Sequence, residues 1–289
     1  MPRLRITPLI DALLYSHVWI GLCALAMVWQ TNIIVGPHFS MTSYQAVVFF
    51  GTISLYSIHR LIGLRRLGSG MKIEGRFGMV FQFRKTGLFL AISGGLLSVV
   101  FFLRLGPSEQ KFLVLPVVVA LLYALPVFPK GNRLRDFPFI KVFLISVVWA
   151  WLTALVPAGK VLSFQDPSVW LLSAERGLFI LGITIPFDIR DYHTDKVAGV
   201  DTLPAVIGPY RARYLSAFCL CFAGVVAFFN PLYSSAQWAA LIISLLPALI
   251  IVKYSTPNRH DYFYTGLADG LMIVQAGLIW IASGGISQF

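Results

Sequence analysis

Three aspartates within eight residues are the part of this chain best suited to chemistry. The stretch Pro186–Gly208 reads PFDIRDYHTDKVAGVDTLPAVIG and carries Asp188, Asp191 and Asp195. Their separations are three and four residues, so a helix continuing through them presents all three carboxylates on one face. Carboxylates that close repel one another and call for a cation among them. An oxygen-only donor set suits a hard ion such as Mg²⁺, which keeps several waters and also binds phosphates. A solvated acidic loop, balanced by Arg190 and Lys196, satisfies the same spacing, and spacing does not choose between the two.

The elements that must position these residues are membrane spans. Of 289 residues, 57% are hydrophobic and 12% charged, and mean hydropathy is +0.78. Soluble domains carry about 25% charged residues. Runs of roughly 20 apolar residues, enough to cross a bilayer, fall at nine places: 12–32, 42–64, 86–104, 111–128, 137–157, 168–187, 211–229, 235–252 and 262–283. Pro107, Pro167 and Pro231 mark turns between them. Pro116, Pro186 and Pro247 lie inside spans, where a neighbouring helix must satisfy the carbonyl each one frees. Arg3 and Arg5 precede Asp11 and a full-length span without a small-residue cleavage site, so the first span is expected to be retained. Cys23, Cys219 and Cys221 lie in apolar runs and form neither a disulfide framework nor a zinc site.

The chain carries 23 Lys and Arg against 12 acids. Seventeen of those cations fall at the N-terminus and in the loops after spans 2, 4, 6 and 8, whereas Arg104, Lys111 and Lys160 are alone on the other side. The positive-inside rule then puts the N-terminus, those loops and the Asp cluster in the cytoplasm, and the C-terminus outside. The basic excess is thereby accounted for without nucleic acid. The longest cytoplasmic loops are Arg65–Lys85, which is basic, and Asp188–Tyr210, which is rich in acids. They lie four spans apart, so a four-plus-four arrangement with the ninth span added brings them together over one cavity. That pairing reads equally as an ion-pair seam or as a phosphate site with its metal.

Phe187-Asp-Ile-Arg-Asp-Tyr-x-x-Asp-Lys-x-x-Gly-Val-Asp-Thr-Leu-Pro-x-x-x-Gly208 resembles the second Asp-rich motif of the UbiA superfamily of intramembrane prenyltransferases. Tyr123-Ala-Leu-Pro-Val and the basic run Lys130, Arg133 and Arg135 resemble that family's segment after helix 4. Nine spans with the motif after the sixth also agree. The resemblance implies an all-α polytopic membrane protein, one domain over residues 1–289, with nine helices around a central cavity. It implies transfer of an isoprenoid chain from a prenyl diphosphate to an acceptor, often aromatic, within the bilayer of the cell's inner membrane. It further implies Mg²⁺ held by Asp188, Asp191 and Asp195 as the catalytic and metal-binding acids, with Lys130, Arg133, Arg190 and Lys196 near the diphosphate. Metal and cations would stabilise charge building on the departing oxygens, and an apolar cavity would shield the allylic cation from water.

One part of the family pattern is absent. Its first Asp-rich motif, Asn-x-x-x-Asp-x-x-x-Asp, sits at the cytoplasmic end of helix 2. Here that stretch reads Tyr56-Ser-Ile-His-Arg-Leu-Ile-Gly-Leu-Arg65, and no carboxylate occurs between Asp11 and Glu74. His59 and Arg60 stand in that region instead. Arg60 lies roughly 8 Å along the axis from Arg65, so it either snorkels toward the headgroups or points inward and grips the diphosphate directly. Asp269, two turns beyond Asp261 on span 9, is placed to pair with Arg60 or His59. Glu175 and Arg176, adjacent in the outer half of span 6, read as structural. Two rivals to an active transferase are a non-catalytic relative that binds a lipid diphosphate or a partner, and a small-molecule transporter. A transporter calls for coupling-ion residues at mid-membrane on several helices, whereas these acids gather at one rim.

Overall fold

The computed structural model describes residues 7–36, 42–65, 75–197 and 200–285. Among them nine helices are long and apolar enough to span a bilayer. They are α1 (Val18–Val35), α2 (Ser43–Arg65), α3 (Arg84–Phe102), α4 (Pro107–Ala124), α5 (Ile140–Val161), α6 (Pro167–Val197), α7 (Pro209–Phe228), α8 (Ser235–Tyr254) and α9 (Phe263–Ala282). A bilayer offers no water to backbone groups, so an apolar chain crosses it as helices.

Each helix packs on the next except α3, which packs on α2 while α4 packs on α2 and α5, and α9 packs on both α8 and α1. The bundle is therefore a ring, and α9 closes it; it is not an addition to a four-plus-four body. Close approach rests on small residues. At the α6–α7 contact, a Cβ on Gly182 would lie 2.7 Å from the Leu220 side chain and 3.2 Å from the Ser216 carbonyl.

Three of the four prolines inside the spans, all but Pro247, leave a common trace. Each removes an N–H and frees the carbonyl four residues earlier. Pro186 frees that of Gly182, which accepts from Ser216 Oγ at 2.5 Å. Pro116 frees that of Phe112, which accepts from Trp151 Nε1 at 3.0 Å. Pro157 frees that of Thr153, which accepts from Thr31 Oγ1 at 2.6 Å and from Arg176 Nη1 at 3.4 Å. The helix around Thr153 widens into a π segment, Trp151–Leu155, and Tyr44 OH covers the Leu152 carbonyl at 2.5 Å. Arg176, fully buried, thus supports the backbone and also donates to the Met27 carbonyl at 2.9 Å. Glu175 accepts from Tyr233 OH at 3.1 Å. Both residues knit the far half of the bundle together.

Two departures from the expected spans bear on the site. The first apolar run breaks into a short helix, Thr7–Tyr15, and α1, with His17 left-handed at φ 65° between them. His17 is buried, and its Nδ1 lies 3.1 Å from Ser57 Oγ on α2. The sixth span does not end at 187; α6 runs 31 residues to Val197. Asp188, Asp191 and Asp195 therefore stand on a helix and not in a loop.

Candidate functional site

At the end of the ring where α6 carries its aspartates, a cavity of about 430 Å³ opens between α1, α2, α4, α5, α6 and α9. Deeper in, its wall is apolar and aromatic, with Tyr56, Trp149, Ile180, Ile183 and Met272. At its mouth five cations face the space, Arg60, Arg133, Arg135, Lys141 and Arg190, against two acids, Asp191 and Asp269.

Local chemistry fixes most of these groups. Arg135 donates to His59 Nε2, and its guanidinium lies over the Tyr123 ring at 5.3 Å, a cation–π arrangement. His59 Nδ1, in that tautomer a donor, is buried without a partner among the described residues. Lys141 Nζ donates to Asp188 Oδ1, with Lys141 9% and Asp188 1% exposed. Arg190 Nε donates to Asp191 Oδ1 at 2.9 Å and Nη2 reaches Oδ2 at 3.4 Å. Its Nη1 donates to Asp261 Oδ1 at 2.7 Å. Tyr15 OH donates to Asp261 Oδ2 at 3.1 Å, and Tyr262 OH donates to Asp11. These contacts tie the N-terminal helix across the mouth to the start of α9. Arg133 is held by Asp136 through a fork of 2.8 and 3.1 Å. Burial first, then the Arg60 charge, pushes His17 down to about 3, so the imidazole beside the cavity is neutral.

The residues singled out from sequence divide into three groups. His59, Arg60, Arg133, Arg190 and Asp191 converge on the cavity. Asp188 and Asp195 share the α6 face with Asp191 without lining it; Asp188 is committed to Lys141, and Asp195 Oδ2 is buried with no partner among the described residues. Lys196 is exposed, its Nζ 5.8 Å from the Tyr192 ring centre. The side chain of Lys130 lies outside the described residues, as do residues 66–74 of the basic loop after α2. Asp269 lines the same cavity as Arg60 and His59, and Arg190 and Arg60 both act on its charge.

Two functional candidates escaped the sequence reading. The sequence reading gives Lys141 no role and takes Arg135 only as part of a basic run. The available signal was Lys141 itself, because an ionisable residue within a span is a site candidate by default.

The acids do not fit a resident divalent ion as folded. Mg²⁺ is bound through free carboxylate oxygens together with waters and phosphates. Asp191, the member of the trio on the cavity wall, gives both oxygens to Arg190. Among the described residues no three His, Cys, Asp or Glu side chains gather closely enough to hold a metal ion.

The site is thus an apolar chamber with a cationic mouth, enclosed by a ring of helices long and apolar enough to span a membrane. The sequence profile of the UbiA prenyltransferase family matches residues 82–264, more than half of the chain. The protein belongs to the UbiA prenyltransferase family, whose members transfer prenyl groups within membranes. Its fold is that of a UbiA homologue from Archaeoglobus fulgidus solved with GPP and Mg²⁺, at TM-score 0.65 and 14% identity, over 95% of this chain and 99% of that one. An apo UbiA homologue from Aeropyrum pernix K1 is similar at TM-score 0.60 and 16% identity, over 96% and 98%. A digeranylgeranylglyceryl phosphate synthase is similar at TM-score 0.56 and 16% identity, over 97% and 99%. No curated protein matches the sequence significantly.

Proposed function

We propose that this protein binds a prenyl diphosphate with its head among the cations at the cavity mouth, and transfers the prenyl group to an acceptor inside the membrane. The observation that carries the reading is the division of one cavity into a cationic mouth and an apolar, aromatic interior. The GPP bound in the Archaeoglobus fulgidus homologue of like fold supports the choice of ligand.

The chemistry follows from that division. The bond from the allylic carbon to the diphosphate oxygen breaks, and its electron pair leaves with the diphosphate. Arg60, Arg135, Lys141 and Arg190 stabilise the charge gathering on those oxygens. The allylic cation is left facing Tyr56 and Trp149, whose ring faces favour positive charge and whose packing excludes water. An acceptor nucleophile bonds to that carbon and loses a proton. Asp269, a carboxylate within the same cavity, is placed to take it. The charge asymmetry of the loops supports a mouth at the cytoplasmic face of the membrane.

The replacement of the family's first acidic motif by His59 and Arg60 supports a second reading, a relative that binds the donor without turning it over. One experiment addresses both. The purified full chain in lipid nanodiscs is incubated with labelled geranyl diphosphate and an extract of membrane lipids, and pyrophosphate and labelled lipid are followed. Transfer predicts both products together. Saturable binding without pyrophosphate release establishes the non-catalytic relative, and absence of binding removes both readings.

A further inference from the structure

We infer that this chain holds the diphosphate with fixed protein cations and needs no divalent metal to bind it. The inference rests on the proposed prenyl diphosphate reading and concerns how the head is gripped. In a carboxylate-lined site a divalent ion is needed because acid and phosphate are both anionic and repel. Here that repulsion is already cancelled by the protein. Asp188 is neutralised by Lys141 and Asp191 by Arg190. Asp195, the remaining acid, stands off the cavity wall. On α2, where the family carries acids, the chain presents Arg60 and His59 to the cavity.

Of the three α6 aspartates, Asp195 alone keeps a buried oxygen without a partner among the described residues, and bringing a second one to a metal would mean displacing Lys141 from Asp188 or Arg190 from Asp191. The first pair is buried, and parting it would leave an uncompensated charge in a low dielectric. The cations, by contrast, are already arranged for an anion. Arg135 is held by His59 and Tyr123, and Arg190 is held by Asp191 and Asp261. Guanidinium forks bind phosphate oxygens through two parallel hydrogen bonds without any metal. Of the five cations on the lining, Arg133 is held by Asp136, Lys141 by Asp188 and Arg190 by Asp191 and Asp261, whereas Arg135 meets an imidazole and an aromatic ring and brings its charge to the mouth for the diphosphate to neutralise.

The test is titration calorimetry of geranyl diphosphate into the full chain in nanodiscs, once with Mg²⁺ and once with EDTA after chelation of residual metal. The two dissociation constants are expected to agree within about threefold, less than 1 kcal/mol. Arg60→Gln should weaken binding about tenfold or more under both conditions, as loss of a charge-assisted hydrogen bond does. Binding that is present with Mg²⁺ and weakened more than tenfold by EDTA overturns the inference while leaving the prenyl diphosphate reading standing. Binding under neither condition overturns the reading itself, and the inference with it.

Discussion

Replacing Lys141 by Met separates the structural and ligand-binding work of the Lys141–Asp188 pair. Met has nearly the shape of Lys without its charge, so packing is preserved while Asp188 loses its partner. Asp188 is 1% exposed, and the pair joins α5 to α6 across 47 residues of sequence. Removing one member of a buried ion pair costs about 3–5 kcal/mol, because the other charge stays behind in a poor solvent. Replacing both members with apolar residues of similar volume is often neutral or stabilising. The unfolding free energy of Lys141→Met in mixed micelles, followed by tryptophan fluorescence, should therefore fall by about 3–5 kcal/mol. Lys141→Met/Asp188→Leu should recover most of that loss. Affinity for geranyl diphosphate should behave differently. It should drop about tenfold or more in the single variant and stay low in the double one, because the cation is missing from both. A single variant within about 1 kcal/mol of the wild type, or a double variant no more stable than the single, would refute the buried pair. Full ligand affinity in the double variant would remove Lys141 from the site.

Ser216→Ala strands the Gly182 carbonyl that Pro186 leaves open and should cost about 1–3 kcal/mol of stability. Ser216→Ala/Pro186→Ala restores the helical donor and should regain most of it; equal losses in the two variants would show that the carbonyl is satisfied some other way. His17 is neutral when folded, near 3 against 6.5 when exposed. Its contribution to stability is thus complete above about pH 6.5 and declines by roughly 1.4 kcal/mol per pH unit as pH falls toward 3. His17→Asn, which can still reach Ser57, should show a shallower acid loss than the wild type, and parallel curves from thermal unfolding would refute that account. A reporter fused after Phe289 should be extracytoplasmic and one inserted near Asn258 cytoplasmic; both on the same side would contradict the single crossing by α9 between them.

Some of this protein was decided residue by residue along the chain. The nine crossings follow from apolar runs of bilayer length, because an apolar backbone in lipid has only its own helix to bond with. The spacing Asp188, Asp191, Asp195 already meant one helical face, and the prolines already meant freed carbonyls. Which group would answer each of these was decided by tertiary structure. Ser216, Trp151 and Thr31 reach their carbonyls from other helices, at separations of 34, 39 and 122 residues. Arg135 meets His59 across 76 residues and Lys141 meets Asp188 across 47. Periodicity describes the direction a side chain takes from its own helix axis and carries no information about the helix opposite. An acidic face and a metal site therefore look alike in sequence. The ring brings Lys141 onto that face and Asp261 to Arg190, and with them the ordered cationic mouth.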